Sequence, residues 1–522
     1  MQKSVEPDIQ NETASEDSVP PYFQGRKEWA EYSDALVDRY RGNPLIEALP
    51  PILTDKEVSK QLACYPPYDE SERNLPDQVR IHLTHTALDL FVPLPDHLDL
   101  AQRFSCLIRN GYVPRNPVTA VFWKEIGTRV SAMTLQRRRR NPVRSTATGF
   151  NLIGISGGGK TTGVEVNFDL YPQVIYHRNF QNRNFNFTQV VWLKMLCPPD
   201  GSIKGLCLDF FRILDDLLGT NHYENYAERK TTDELIPSMA RVASMHGLGV
   251  LALDEIQYLS ESKSGGKERM LNFFCELTNR IGLPVVFVGT YKARQVLEGE
   301  FRQVRRGCGE GEKRWDRLTD RTTWRFFLKA LWRYQYIKHS TGLTDELCEL
   351  FFDLTQGIPD LCVKLYILTQ VRAIRTGKEV ITPDIVRSVA RDSFATVQGI
   401  LEHLRNNDVA KLELISDICS IDLGSSISAM DRISKSTSLL DIIPETDKKK
   451  PVADVPAPQS NSDQNNKKHL PQTVPKPVKS ALEESGTLTV AGSDSDLSPY
   501  DRLKAKGFVR SGAEFINKQI TV

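Results

Sequence analysis

The residues best suited to chemistry lie in the stretch NLIGISGGGKTTG, which begins at Asn151. From Gly154 to Thr161 it fits the pattern G-x-x-x-x-G-K-[ST], which predicts a loop that binds phosphate. Glycines let backbone N–H groups approach a phosphate without a clash from Cβ. Lys160 would place its charge between the terminal phosphates, and the Thr161 hydroxyl would ligate Mg²⁺. The predicted ATP-binding residues of this loop are Gly154, Ser156, Gly157, Gly158, Gly159, Lys160, Thr161 and Thr162.

The segments on either side of this loop support the same interpretation. The apolar residues FNLIGI before it predict a buried strand, and KTTGVEVNFDLY after it predicts a helix whose N-terminus faces the anion. A flexible glycine turn is the alternative. The match at every position and the two flanks favour a nucleotide site, so ATP and Mg²⁺ are the expected cofactors.

A second motif lies where the apolar run VLAL ends in Asp254 and Glu255. Asp254 would hold Mg²⁺ through its water shell, and Glu255 would polarise the attacking water as general base. An adjacent glutamate favours hydrolysis over phosphoryl transfer to a small molecule, so the expected activity is that of an ATPase. The next apolar run ends in Thr290, and in ATPases of the AAA+ class this strand carries the sensor that hydrogen-bonds the water or the γ-phosphate. A plain strand-end cap is the alternative for Thr290.

Basic residues beyond these motifs are candidates for contacts with the phosphates. The segment EFRQVRRGCGEGEKRW is rich in arginine, and an arginine that reaches into a neighbouring subunit's site stabilises transition-state charge in ring ATPases. An exposed basic loop is the alternative. Further along, Asp360 stands near the position where many relatives carry a sensor arginine, and Lys364, one helical turn later, would reach the phosphates. The candidate arginines are Arg302, Arg305 and Arg306.

The elements that must position these residues follow from the apolar pattern. From Phe150 onward, short apolar runs alternate with amphipathic stretches, which is typical of a parallel sheet covered on both faces. The predicted strands are GFNLIGI, QVIYHR, QVVWLKM, LGVLALDE and LPVVFVGT. From Leu343 the pattern is helical, and Thr382-Pro383-Asp384 predicts a helix start. The predicted fold class is α/β, a P-loop AAA+ ATPase core whose parallel sheet is sandwiched by helices.

Composition divides the chain into further regions. After Pro444 the sequence is rich in proline and polar residues, which predicts a disordered linker, and the last residues regain apolar side chains and would dock on a partner. The predicted regions are a disordered leader at 1–25, a small mixed N-terminal region associated with partners or DNA at 26–140, the AAA+ core at 141–335, a helical lid at 336–440, the disordered linker at 441–498 and the docking tail at 499–522.

Charge and cysteine content disfavour several classes of protein. The formal net charge of +1 gives no global attraction to nucleic acid or to a membrane, so any DNA contact must be local. The cysteines include no Cys-x-x-Cys pair, which disfavours a zinc site or a secreted disulfide framework. No run approaches about 18 apolar residues, and the polar, acidic start does not resemble a signal peptide. A cytoplasmic protein without a membrane partner is expected.

Several longer segments resemble TnsC, the AAA+ regulator of Tn-seven-type transposons. The resemblance rests on YRGNPLIEALPPI, FSCLIRNGYVPRNP, LALDEIQYLSESKSGGKERMLNFF, PVVFVGTYKARQVLEGEFRQVRRG and DRLKAKGFV. It covers most of the chain from about Tyr40 to Ile400 and the tail. The resemblance implies a bacterial, DNA-associated ATPase that assembles as a homo-oligomeric ring or helical filament on double-stranded DNA. Target-selection proteins would recruit it, and it would activate the transposase. Its terminal regions would contact the transposase and the associated endonuclease subunit, and ATP hydrolysis would dismantle the assembly.

The resemblance also implies where duplex DNA lies. In that family, segments between the two nucleotide motifs and just after the second follow the DNA backbone without reading sequence. Exposed basic loops without a DNA contact are the alternative, and the same alternatives apply to the four arginines from Arg137 to Arg140. The candidate DNA-binding residues are Arg229, Lys230, Thr231, Lys263 and Lys267.

Two other classes of protein share such a core. A replication initiator or clamp-loader-like AAA+ ATPase would usually append a helix-turn-helix domain after the lid. A signalling P-loop ATPase that binds no DNA would usually append repeats. After about Leu440 the sequence reads as a linker, and no repeat is visible, which favours the transposition regulator.

Overall fold

The computed structural model describes residues 24–120, 122–124, 147–227, 231–261, 273–274, 277–294, 311–406, 421, 423–424 and 426–427. The chain divides into two compact units, Met1–Ile443 and Pro444–Val522, and all described residues belong to the first. The predicted leader up to residue 23, the four arginines from Arg137 to Arg140, the linker and the tail lie outside the described residues. None of the described helices is long and apolar enough to cross a membrane.

Within these residues, eight strands form two sheets. They are β1 (Lys27–Trp29), β2 (Phe150–Gly154), β3 (Val174–Phe180), β4 (Arg183–Val190), β5 (Trp192–Leu196), β6 (Val250–Asp254), β7 (Val285–Gly289) and β8 (Glu312–Trp315). The larger sheet has five strands in the order β5-β6-β7-β2-β8, and all its pairings are parallel. The carboxyl ends of its strands therefore meet at one edge, where open parallel sheets bind ligands.

The helices of the described part lie in three groups along the chain. The N-terminal group is α1 (Pro44–Glu47), α2 (Asp55–Leu62), α3 (Asp77–Leu83) and α4 (Pro95–Tyr112). Those between the strands are α5 (Lys160–Phe168), α6 (Ile203–Leu218), α7 (His222–Ala227) and α8 (Thr232–Met245). The helices after β8 are α9 (Arg321–Leu331), α10 (Asp345–Thr355), α11 (Pro359–Arg375), α12 (Pro383–Ser393) and α13 (Gln398–Arg405).

Helices cover both faces of the larger sheet. Successive residues of a strand point to opposite faces. In β6, Leu251 and Leu253 belong to the core formed with α6 and α8, whereas Val250 and Ala252 belong to the core formed with α4 and α5. All five residues of β2, of β6 and of β7 are buried, as the apolar runs predict. The predicted parallel sheet between two helical layers is confirmed.

One predicted strand lies in a different sheet. The segment QVIYHR forms most of β3, which pairs in parallel with β1 and antiparallel with β4 in a three-stranded sheet. Its assignment to the parallel sheet was wrong because the chain turns back at Gln181 and Asn182, whose φ values are 48° and 60°, and pairs β3 with its neighbour. The fifth strand of the larger sheet is instead β8, whose short polar sequence predicts no strand.

The N-terminal region packs directly on the larger sheet. Leu100 and Phe104 of α4 are fully buried in the same core as residues of β2 and β6. Lys313 of β8 forms ion pairs with Asp96 and Asp99 of α4, each at 2.8 Å. The region therefore fixes one face and one edge of the sheet, and its predicted association with partners or DNA stays a prediction.

The helices after β8 form a separate core that also receives the N-terminal region. Buried residues of α9 to α13 pack with Val92 and Leu94, which precede α4. The fully buried Arg80 of α3 donates to the Tyr336 carbonyl at 2.9 Å and to Glu379 Oε2 at 2.8 Å. The predicted helix start is confirmed, because α12 begins at Pro383 with Thr382 as its N-cap. The N-terminal region thus contacts both the sheet and this helical block.

Candidate nucleotide site

The predicted phosphate loop connects β2 to α5 at the carboxyl edge of the larger sheet. β2 ends at Gly154, and α5 begins at Lys160. Gly157 and Gly159 have φ values of 73° and 87°, a left-handed conformation that residues with a side chain rarely adopt. A Cβ at Gly159 would meet no atom within 4 Å, so this position needs glycine for its backbone conformation and not for lack of space. A loop of this shape before a helix N-terminus suits an anion.

Lys160 is held against the loop that precedes it. The residue is 8% exposed, and its Nζ donates to the carbonyls of Gly154 at 3.1 Å and of Ile155 at 2.7 Å. These contacts keep the positive charge at the loop instead of in open solvent. The charge is therefore available to a phosphate bound there, and this role stays a prediction.

Thr161 and Asp254 meet across the sheet edge. The Thr161 hydroxyl donates to Asp254 Oδ2 at 2.8 Å, and Asp254 is 3% exposed at the end of β6. Mg²⁺ prefers oxygen ligands and in nucleotide sites takes one or two protein ligands beside the phosphates. A hydroxyl and a carboxylate oxygen at hydrogen-bond distance are a donor set that fits Mg²⁺. The structure brings together the two residues predicted to hold it.

Glu255 and Thr290 are linked through a residue that the sequence analysis missed. Gln257 Nε2 donates to Glu255 Oε2, and the Thr290 backbone N–H donates to Gln257 Oε1 at 3.2 Å. Gly289 permits this approach, since a Cβ there would lie 2.9 Å from Gln257 Oε1. Glu255 has a φ of 56°, a conformation that costs a non-glycine residue about 1 to 3 kcal/mol and recurs at functional sites. The amide of Gln257 therefore fixes the orientation of the predicted base.

Trp315 forms a wall of the site that no motif predicts. Its Nε1 donates to the Gly158 carbonyl at 2.8 Å, so the end of β8 is bonded to the phosphate loop. A Cβ at Gly154 would lie 1.8 Å from the Trp315 carbonyl oxygen. Glycine is therefore required at position 154, because a side chain there would clash with the backbone of β8. Its predicted contact with ATP stays a prediction.

The phosphate loop, the pair Asp254 and Glu255, Thr290 and Trp315 border a cavity of about 400 Å³, which lies within the usual range for a small-molecule site. The N-terminal region forms a second wall that the sequence analysis missed. The ring centroids of Phe91 and His97 lie 4.8 Å apart, and those of His97 and Trp315 lie 5.1 Å apart. Burial lowers the pKa of His97 from its ordinary value to about 4, so the ring is neutral at pH 7. The cavity is lined by predicted residues Ser156, Gly157, Gly158, Gly159, Lys160, Thr161, Thr162, Asp254, Glu255 and Thr290.

The helical block contributes the third wall through the start of α11. Pro359, Asp360 and Val363 line the cavity. Lys364 is not among the lining residues, and its Nζ forms an ion pair with Asp360 Oδ2 at 2.8 Å. The carboxylate therefore faces the cavity where a basic side chain is expected. Contact of Lys364 with the phosphates stays a prediction.

Most of the other predicted residues lie outside the described part of the chain. Thr231 is described: it is exposed and caps α8, where its hydroxyl donates to Glu234 Oε2 at 3.1 Å. Its contact with DNA stays a prediction. The predicted residues outside the described ranges are Arg229, Lys230, Lys263, Lys267, Arg302, Arg305 and Arg306.

Comparison with known families agrees with the phosphate loop and the sheet. The family described as AAA domain matches residues 143–297, which contain the loop, Asp254, Glu255 and Thr290. No curated protein sequence matches the chain. The core of this chain is thus similar to AAA domains over less than a third of its 522 residues.

Three solved structures illustrate the likeness in fold. The structure of the Aeropyrum pernix ORC1 protein in complex with DNA covers 60% of this chain and 83% of that chain, at 14% identity and a TM-score of 0.35. The match to the Walker-type ATPase paby2304 of Pyrococcus abyssi covers 55% of this chain and 76% of that chain, at 15% identity and a TM-score of 0.32. The match to Cdc6p from Pyrobaculum aerophilum covers 60% of this chain and 93% of that chain, at 11% identity and a TM-score of 0.32. Likeness at this level carries no argument about function.

Proposed function

We propose that this chain is an AAA+ ATPase that regulates DNA transposition by assembling on duplex target DNA in its ATP-bound state. The observation that carries the ATPase part is the contact of Thr161 with Asp254 at the phosphate loop, beside Glu255. The transposition part rests on the resemblance to TnsC over segments that lie mostly outside the nucleotide motifs.

In the proposed reaction, Mg²⁺ bound with ATP would supply neutralisation of the phosphate charge. Lys160 would turn its Nζ to the terminal phosphates, and Thr161 and Asp254 would hold the metal. Glu255 would accept a proton from the attacking water, with Gln257 keeping its carboxylate in place. The aromatic wall of Phe91, His97 and Trp315 would contact the adenine of ATP. Further contacts with the attacking water or the phosphates would come from Thr290, from Lys364 and from a neighbouring subunit's Arg302, Arg305 or Arg306.

DNA contact is proposed to be local and independent of sequence. The basic residues Arg229, Lys230, Lys263 and Lys267, together with Thr231, would lie against the phosphate backbone inside a ring or filament of identical subunits. Target-selection proteins would recruit the assembly, and the transposase and its endonuclease subunit would bind its terminal regions. A docking tail on a long linker would raise their local concentration without fixing geometry.

Duplex DNA binding measured with ATP, with a non-hydrolysable analogue and with ADP tests this proposal. Binding should require ATP or the analogue and should be alike on unrelated sequences. Replacing Arg229, Lys230, Lys263 and Lys267 by alanine should weaken binding and reduce the salt dependence by several counterions. Equal binding with ADP, or an unchanged salt dependence, would count against it.

A transposition assay separates this function from that of a replication initiator. Removing the residues after Ser498 should leave ATP turnover intact and abolish stimulation of the transposase. Preference for one origin-like sequence, with no effect on any transposase tested, would favour the initiator instead.

A further inference from the structure

We propose that Lys194 is a positioning residue for the predicted Mg²⁺ ligand Asp254, and that Glu165 holds Lys194 in place for this role. The inference rests on the proposed nucleotide site, and it adds two residues that neither nucleotide motif contains. They lie on the sheet strand beside β6 and on the helix that follows the phosphate loop.

Lys194 connects the two elements that carry the predicted metal ligands. It lies on β5 opposite Ala252 of β6, and its side chain is 11% exposed. Its Nζ lies 2.5 Å from Glu165 Oε1 and 3.5 Å from Asp254 Oδ2. Glu165 is on α5, about one turn after Thr161. The ammonium group is thus bound to the helix of one metal ligand while it faces the carboxylate of the other.

Both carboxylate oxygens of Asp254 are held by this chain. Oδ1 accepts the backbone N–H of Glu255 at 3.0 Å, and Oδ2 accepts the Thr161 hydroxyl at 2.8 Å and faces Lys194. The carboxylate cannot rotate without losing contacts at both oxygens. Because partners of this kind orient a metal ligand, their loss typically lowers metal affinity by about 10- to 100-fold.

The charge of Lys194 and its orienting contact have opposite effects on Mg²⁺ binding. A lone ammonium near Asp254 would repel Mg²⁺, and its removal would then strengthen metal binding. Here Glu165 pairs with Lys194 at the shorter distance, so the two together present little net charge to the site. Without Lys194, the unpaired Glu165 would attract Mg²⁺, whereas Asp254 would lose one of the groups that orient it. The Glu165 side chain is 27% exposed, so solvent screens its charge, and we expect the orienting effect to be the larger of the two. Mg²⁺ binding should therefore weaken.

The test is the Mg²⁺ dependence of nucleotide binding in the full chain. A fluorescent ATP analogue is bound first in chelator and then as Mg²⁺ is titrated. Lys194→Met should need about 10- to 100-fold more Mg²⁺ than the unaltered protein, while binding in chelator stays the same. Lys194→Arg should recover part of the difference, and Glu165→Gln should shift the Mg²⁺ requirement in the same direction. Lys204→Met, at an exposed lysine of α6, is the matched control.

Three results would overturn the inference. One is a Lys194→Met variant with an unchanged or lower Mg²⁺ requirement. Another is an equal loss of binding with and without Mg²⁺ together with a lower melting temperature, which would make Lys194 a general structural residue. If the unaltered protein binds the analogue neither with nor without Mg²⁺, the proposed function fails first, and the inference fails with it.

Discussion

The Thr161 hydroxyl donates to Asp254 Oδ2 at 2.8 Å, although 93 residues separate the two in the chain. Thr161 lies in the first turn of α5, which follows β2, and β2 is not a neighbour of β6, because β7 lies between them in the sheet. The contact forms because α5 begins at the carboxyl edge, where β6 also ends, so the first turn of the helix reaches across β7. A hydroxyl and a carboxylate from separate motifs thereby share one position beside the phosphate loop.

Replacing the predicted base should separate binding from hydrolysis. Glu255→Gln keeps the size of the side chain and its contact with Gln257 but removes the proton acceptor. We expect ATP binding to persist, turnover to fall about 100-fold or more, and DNA complexes to live longer. Phosphate release and DNA dissociation measure the two effects, with Glu402→Gln, at an exposed residue of α13, as control. Unchanged turnover would remove Glu255 from the role of base.

The close approach of β2 to β8 predicts a strong effect of one methyl group. In Gly154→Ala the new Cβ would lie 1.8 Å from the Trp315 carbonyl oxygen, so the strands must move apart. We expect a loss of about 1 to 3 kcal/mol or more in the free energy of unfolding, measured by denaturant titration. Gly399→Ala is the control, because its Cβ would meet nothing within 4 Å and the residue lies in α13. Equal stability of the two variants would show that β8 does not pack against Gly154.

Acid should destabilise the fold partly through His97. Its pKa in the folded protein is lowered to about 4, so between pH 6.5 and 4 the unfolded chain binds a proton that the folded protein does not. This group's contribution is fully present above pH 6.5 and is lost as pH falls toward 4. Between pH 7 and 5 the loss amounts to about 2 kcal/mol.

The variant His97→Phe isolates this contribution while it retains an aromatic ring beside Phe91 and Trp315. Burial also lowers the pKa values of His177 and His246 to about 4, so the variant should still lose stability in acid. Between pH 7 and 5, the free energy of unfolding of His97→Phe should fall by about 2 kcal/mol less than that of the unaltered protein. Denaturant titration at the two pH values measures this difference. Identical pH profiles would mean that His97 is not held neutral in this wall.

The sequence predicts the parts of the site that depend on local spacing. The loop from Gly154 to Thr161 and the pair Asp254 and Glu255 are each contiguous in the sequence. Each comes at the end of a predicted strand, which places both motifs at one edge of a parallel sheet. Their meeting follows from topology alone, since the carboxyl ends of parallel strands share that edge.

The other walls could not be predicted because they depend on distant parts of the chain. Trp315 lies in a four-residue strand of mixed polarity, a pattern too short to show a period. Phe91 and His97 reach the cavity because α4 packs on the sheet and is tied to Lys313, and neither contact leaves a local signal. Gln257 has a weak signal, as a polar residue in the turn directly after the carboxylate pair.

In the proposed function, the nucleotide at Lys160 controls assembly on DNA. Electron microscopy of the full chain with duplex DNA and a non-hydrolysable ATP analogue, beside the variant Lys160→Ala, tests it most directly. Rings or short helical filaments around the duplex are expected for the unaltered protein and none for Lys160→Ala, whose circular dichroism spectrum without nucleotide should show a retained fold. Identical assemblies formed by Lys160→Ala, or by the unaltered protein without nucleotide, would contradict it.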